Sequence, residues 1–95
     1  MKQTKSKNEE LINLLRLKGS YEILKELETG SKRFKDLKRK VTHSTLAKRL
    51  SDLERFNLII RKVDEKHKPP IVEYVLTRKG KEILEFFRKF QKDDI

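Results

Sequence analysis

Between Ser31 and Arg49 the chain carries eight lysines and arginines and a single acid, Asp36. Cations at that density suit a polyanion, because each one that neutralises a phosphate releases a condensed counterion. A second basic group, Lys66-His67-Lys68, precedes Pro69-Pro70, with Arg61 and Lys62 a few residues before it. Covalent chemistry has no comparable support. There is no cysteine, so thiol nucleophiles, thiolate metal sites and disulfides are excluded. The two histidines stand far apart, His67 has no second ligand nearby, and no Gly-rich phosphate loop or paired-carboxylate pattern occurs. No enzyme activity, metal, cofactor or small-molecule ligand is expected.

The whole chain has 25 Lys and Arg against 15 Asp and Glu over 95 residues, a net charge of +10. Nucleic acid is the leading partner class, with an anionic membrane surface the other. No apolar stretch approaches the roughly 18 residues needed to span a bilayer, and the first ten residues lack the apolar region of a signal peptide. An intracellular, cytoplasmic and nucleoid-associated protein is expected. Abundant Lys and Glu with few Gln and no Cys is the balance of a thermophile.

Residues 1–7 are polar and basic without a period and read as a flexible tail; residues 8–92 read as one domain. Leu11, Ile12, Leu14 and Leu15 mark a first helix that Gly19 interrupts, and Tyr21, Ile23, Leu24 and Leu27 mark a second that Thr29-Gly30 closes. Phe34, Leu37 and Val41 are spaced for a short helix of about two turns. Thr42 is then placed to cap a longer helix in which Leu46, Leu50 and Leu53 share one face. The β-branched and apolar runs Leu58 to Val63 and Ile71 to Leu76 predict a hairpin with a charged tip. Thr77 caps a last helix whose Ile83, Leu84, Phe86, Phe87 and Phe90 form a wider apolar surface than one core-facing stripe needs. The class is mainly α with a small β-hairpin.

Helix, helix, short helix, capped helix, hairpin, helix is the winged helix-turn-helix order. Gly30-Ser31-Lys32-Arg33-Phe34-Lys35-Asp36-Leu37, Leu46 to Glu54, and Pro69-Pro70-Ile71-Val72-Glu73-Tyr74-Val75-Leu76-Thr77 with Gly80 resemble HxlR-type transcriptional regulators of prokaryotes. The similarity covers about residues 19–84. Two departures are visible: the family commonly carries a cysteine near the N-terminus, absent here, and its Trp before the second helix is Tyr21. Asn57 stands where many winged helices have Gly, and Asn also tolerates a left-handed backbone.

The resemblance implies a transcriptional regulator that binds double-stranded DNA. The second helix of such a motif enters the major groove N-terminal end first, which assigns base reading to His43, Ser44, Thr45, Lys48 and Arg49. Lys32, Arg33 and Lys35 would lie along the sugar-phosphate backbone, and Arg61, Lys62, Lys66, His67 and Lys68 would form a wing at the neighbouring minor groove or backbone. Other readings stay open. His43 is also an ordinary helix-start residue, Arg49 has Asp52 and Glu54 nearby as ion-pair partners, and Lys66 to Lys68 also suit a solvated hairpin tip. Leu11, Leu14 and Leu15 with Phe86, Phe87 and Phe90 either pack together as core or form a homodimer interface that buries both stripes. Sequence-nonspecific coating of DNA and a protein-interaction role compete with site-specific regulation, since fold does not fix function.

Overall fold

A computed structural model describes residues 6–93. Five helices and a hairpin follow in the order α1 (Lys7–Arg16), α2 (Ser20–Leu27), α3 (Phe34–Leu37), α4 (His43–Arg55), β1 (Ile59–Asp64), β2 (Ile71–Leu76) and α5 (Arg78–Asp93). Of the expected tail, residues 1–5 lie outside the described residues, while Ser6 caps the first helix and Lys7 opens it. There Ser6 Oγ accepts from the Glu9 amide at 3.1 Å and Glu9 Oε1 accepts from the Ser6 amide at 3.0 Å. That reciprocal capping box satisfies two amide donors that a helix start otherwise leaves orphaned.

The α1–α2 turn is tight because Gly19 takes φ 93°, and the Ser20 hydroxyl, fully buried, donates to the Leu14 carbonyl at 2.7 Å. Helix α4 buries Leu46, Leu50 and Leu53 on one face, as their spacing predicts, against Ile23, Leu24 and Leu37 of one shared core. Thr42 occupies the N-cap position in an extended conformation, but its hydroxyl makes no capping bond, contrary to expectation.

At its other end α4 closes on a Schellman motif. The Leu58 amide donates to the Leu53 carbonyl at 3.0 Å and the Asn57 amide to the Glu54 carbonyl at 2.9 Å. Asn57 carries the left-handed backbone this requires, φ 63°. Leu53 and Leu58, both fully buried, supply the hydrophobic contact that accompanies the motif.

The hairpin pairs Ile59 with Leu76 through to Asp64 with Ile71, antiparallel, and the Lys68–Pro69 peptide is cis. A third rung was not visible in the sequence: Lys32 bridges Tyr74, with N–H to carbonyl distances of 3.1 and 2.8 Å, and ties the chain before α3 to the wing. Thr77 does cap α5. Its hydroxyl oxygen accepts from the Gly80 amide at 3.0 Å while the hydroxyl faces the carbonyls of Asn57 (2.7 Å) and Leu58 (3.0 Å). One side chain thereby fixes the last helix to the base of the hairpin.

Candidate nucleic-acid interface

Burying Leu46, Leu50 and Leu53 forces the opposite face of α4 outward, and His43, Ser44, Ala47, Lys48 and Ser51 are all exposed. Ala47 and Ser51 were not among the sequence candidates. Their signal was there: Ser51 falls in the helical phase away from the three leucines, and Ala47 on the flank between the two faces. Small residues on this stripe let the helix axis approach a groove floor, and the Ala47 methyl is the kind of group that contacts a thymine methyl.

Two other expected readers sit differently. Thr45 is half-buried, with Cγ2 3.7 Å from where a Gly19 Cβ would stand, so it faces the α1–α2 turn. Arg49 is half-buried too, and its Nε donates to the Lys18 carbonyl at 3.0 Å. It pairs with neither Asp52 nor Glu54 in an ion pair among the described residues. The sequence-based placement of Arg49 on the outward stripe is therefore corrected, for the simple reason that a carbonyl 31 positions away offers a geometry the local acids do not.

The remaining cations divide between two flanks. The His43 ring meets the Phe34 ring at 5.1 Å, which joins the start of α4 to the start of α3. On α3's outer side Arg33, Phe34 and Lys35 share an open groove of about 500 Å³ with His67, Lys68 and Pro69-Pro70 of the wing. Arg33 and Lys35 of the backbone candidates and His67 and Lys68 of the wing candidates are thus brought together, contiguous through Phe34 with the start of α4. The Arg33 amide is held by the Asp36 carboxylate at 3.0 Å, which leaves its side chain outward.

Arg61, Lys62 and Lys66 are exposed along the hairpin. The Lys66 amide bonds Asp64 Oδ1 at 3.0 Å, and His67 Nε2 stands 3.5 Å from Asp64 Oδ2. Lys32 instead turns back, its ammonium on the Thr29 hydroxyl at 2.7 Å. Arg39 and Lys40 share a different hollow with Lys32, Asp36 and Glu26, where one acid from α3 and one from α2 offset part of their charge. Among the described residues no group of three or more His, Cys, Asp or Glu could hold a metal ion.

The apolar surface at the chain ends is a groove of about 410 Å³ lined by Ile12, Leu15, Arg16, Ile83, Phe86 and Phe87. Ile12 is 51% exposed and Phe86 58%. Leu14 is not part of this surface: at 4% exposure it is core, a correction to the expected interface, because its side chain is buried in the cluster that holds Ile23, Leu24 and Leu27 of α2. Leu11 is half-buried against the core, and Phe87 packs edge-on to Tyr21 at 5.7 Å. Phe90 belongs to α5, but its side chain lies outside those described. No helix among the described residues is long and apolar enough to cross a membrane.

Comparison with known proteins fits this geometry. The reduced form of the transcriptional regulator YodB from B. subtilis superposes with a TM-score of 0.79 at 30% identity, covering 95% of this chain and 90% of that one. The transcriptional regulator ytfH from Salmonella typhimurium gives a TM-score of 0.77 at 28% identity, covering 90% and 79%. The regulatory protein MalR from Fusobacterium mortiferum is 42% identical over 66 residues, which span 66% of this chain and 61% of MalR. The two solved structures share the overall fold of this chain. The family model for the HxlR-like helix-turn-helix matches residues 14–93, and the chain belongs to that family.

Proposed function

We propose that this protein is a transcriptional regulator that binds double-stranded DNA as a homodimer, with α4 in the major groove and the hairpin at the adjacent minor groove or backbone. The observation that carries this reading is continuity. The exposed stripe of α4, the cations at the start of α3 and the wing tip are contiguous, joined across the His43–Phe34 contact and a groove whose floor of Phe34, Pro69 and Pro70 is flanked by Arg33, Lys35, His67 and Lys68. A major groove about 12 Å wide accepts one helix, and a neighbouring basic hairpin then meets the flanking strand.

Within that surface His43, Ser44, Ala47, Lys48 and Ser51 are assigned to base edges, Arg33 and Lys35 to phosphates, and Lys66, His67 and Lys68, with Arg61 and Lys62 behind them, to the wing contact. Lys32 serves more to join α3 to β2 than to reach DNA. The proposed role is one of binding without catalysis, in the cytoplasm at the nucleoid.

The homodimer reading rests on the apolar groove between α1 and α5. A second copy related by a two-fold axis covers Ile12, Leu15, Ile83 and Phe86 in both protomers at once. Two α4 helices then enter successive major grooves about 34–36 Å apart, and the preferred site is palindromic or nearly so. Selection of bound sequences from a random duplex pool, followed by titration of the selected duplex with the Lys48→Ala variant, tests the assignment. The expected result is a two-fold symmetric site whose preference relaxes at one position per half-site in the variant. Recovery of no preferred sequence, or equal loss on every duplex, would remove site-specific reading and leave general DNA coating.

A further inference from the structure

Arg49 stands on α4 yet is directed away from the outward stripe. Its Nε–H donates to the Lys18 carbonyl, 31 positions earlier, and the side chain is half-buried along the way. That acceptor is itself fixed. The Leu17 amide bonds the Leu14 carbonyl at 3.0 Å and the Ser20 amide bonds the Leu17 carbonyl at 3.2 Å, while the buried Ser20 hydroxyl holds Leu14 from the other side. Gly19 next to it sits so close to Val41 that an added Cβ would stand 3.1 and 3.3 Å from the two valine methyls. The α1–α2 turn is thus an anchored platform against the start of α4.

The leucines of α4 hold the helix onto the core, but apolar burial is non-directional and tolerates small rotations about the helix axis. A guanidinium hydrogen bond is directional and charge-assisted. One such bond to an anchored carbonyl selects a single rotation of α4, and with it the direction of Ser44, Ala47 and Lys48 on the far face.

We infer that Arg49 is a positioning residue: it locks the recognition helix to the α1–α2 turn and so aims the reading stripe without touching a base. This rests on the assignment of α4 as the DNA-reading helix.

The test uses the full chain, the variants Arg49→Ala and Arg49→Lys, and Lys48→Ala as the comparison. Each is titrated with the selected duplex and an unrelated one, over a range of salt, and its base preference is selected again from the random pool. Because the chain lacks cysteine, Asn13→Cys with Glu54→Cys, both exposed and outside the reading stripe, accepts a pair of spin labels that reports the α1–α4 distance distribution. For Arg49→Ala the expected loss on the selected duplex is about fivefold, the size of one net hydrogen bond. Binding to the unrelated duplex, the salt slope and the order of preference at every base pair stay as in the wild type, and the label distances broaden. Arg49→Lys, whose ammonium still donates to a carbonyl, recovers part of the loss; if Arg49→Ala fails to fold by circular dichroism, Arg49→Gln takes its place. Relaxed preference at a single base pair would make Arg49 a base reader, a lower salt slope would make it a phosphate contact, and unchanged binding would leave it no role; each overturns the inference while the DNA-reading assignment stands. A wild-type chain that prefers no duplex overturns both.

Discussion

Gly80 is the position where a single methyl group most directly tests how the last helix is seated. An ideal Cβ built on Gly80 would lie 2.2 Å from the Leu58 carbonyl oxygen and 2.7 Å from Leu76 Cδ1. Unstrained carbon–oxygen contacts begin near about 3.3 Å, so Gly80→Ala requires α5 and the start of β1 to separate by about 1 Å. That movement opens the bonds gathered there: Thr77 amide to Leu58 carbonyl at 3.0 Å, and Gly80 amide to Thr77 hydroxyl at 3.0 Å.

Losing one or two such bonds destabilises by about 1–2 kcal/mol, and overpacking adds about 1–3 kcal/mol. Ala is favoured over Gly within a helix by about 1 kcal/mol, which opposes the strain without matching it. The net expectation is about 2 kcal/mol of destabilisation, or a Tm lower by about 8–16 °C for a domain of this size. Thermal and urea unfolding followed by circular dichroism measure it. An alanine variant as stable as the wild type, or more stable, would mean that propensity alone operates at this site and that α5 does not press on Leu58.

Three further outcomes follow from the surface. Ile12→Glu places a charge in the apolar groove and is expected to shift sedimentation from dimer to monomer at micromolar concentration; a wild-type chain that already sediments as a monomer refutes the dimer. Lys66→Ala with Lys68→Ala should flatten the dependence of log affinity on log salt by about 0.9 for each phosphate left without its cation, and an unchanged slope takes the wing tip out of the interface. The Glu28 carboxyl is held below the usual carboxylate range, chiefly by its hydrogen bond from Arg88 and, against partial desolvation, by the charges of Arg88 and Lys25. A depressed folded pKa gives a contribution present above the unfolded value and lost as pH falls through the folded one, so the small stability gap between wild type and Arg88→Ala should close on going from neutral to below about pH 4. A gap of constant size across that range would show that Arg88 acts by packing alone.

What the sequence made legible was whatever depends on neighbours a turn away. Leu46, Leu50 and Leu53 announced the buried face of α4, Thr77 with Gly80 announced the seat of α5, and Asn57 announced the left-handed exit from α4. Periodicity identifies a face but not a depth, which is why Leu14 and Leu15, adjacent on one apolar run, ended on opposite sides of the core boundary. Contacts that close long loops left no local trace. The Lys32–Tyr74 bridge and the Arg49–Lys18 bond join residues 42 and 31 positions apart, and no spacing rule links them. Thr42 failed in the other direction: a favourable cap residue in the right place whose hydroxyl makes no cap bond. At a helix start intended for an anionic partner, amides left uncapped are donors still available to a phosphate.

The distribution of charge then decides how the molecule presents itself to a duplex. Between Lys7 and Gly30 four cations face five acids, whereas between Ser31 and Arg49 eight cations face one. The net +10 is therefore far from uniform: α1 and α2 are close to neutral, and most of the excess belongs to the helix-turn-helix, while in the wing four cations stand among three acids. A polyanion attracts the second region and is indifferent to or weakly repelled by the first, so long-range forces orient the chain before any base is read. Charge asymmetry along the sequence thus turns the helix-turn-helix toward DNA, and the near-neutral α1 suits the self-pairing proposed above.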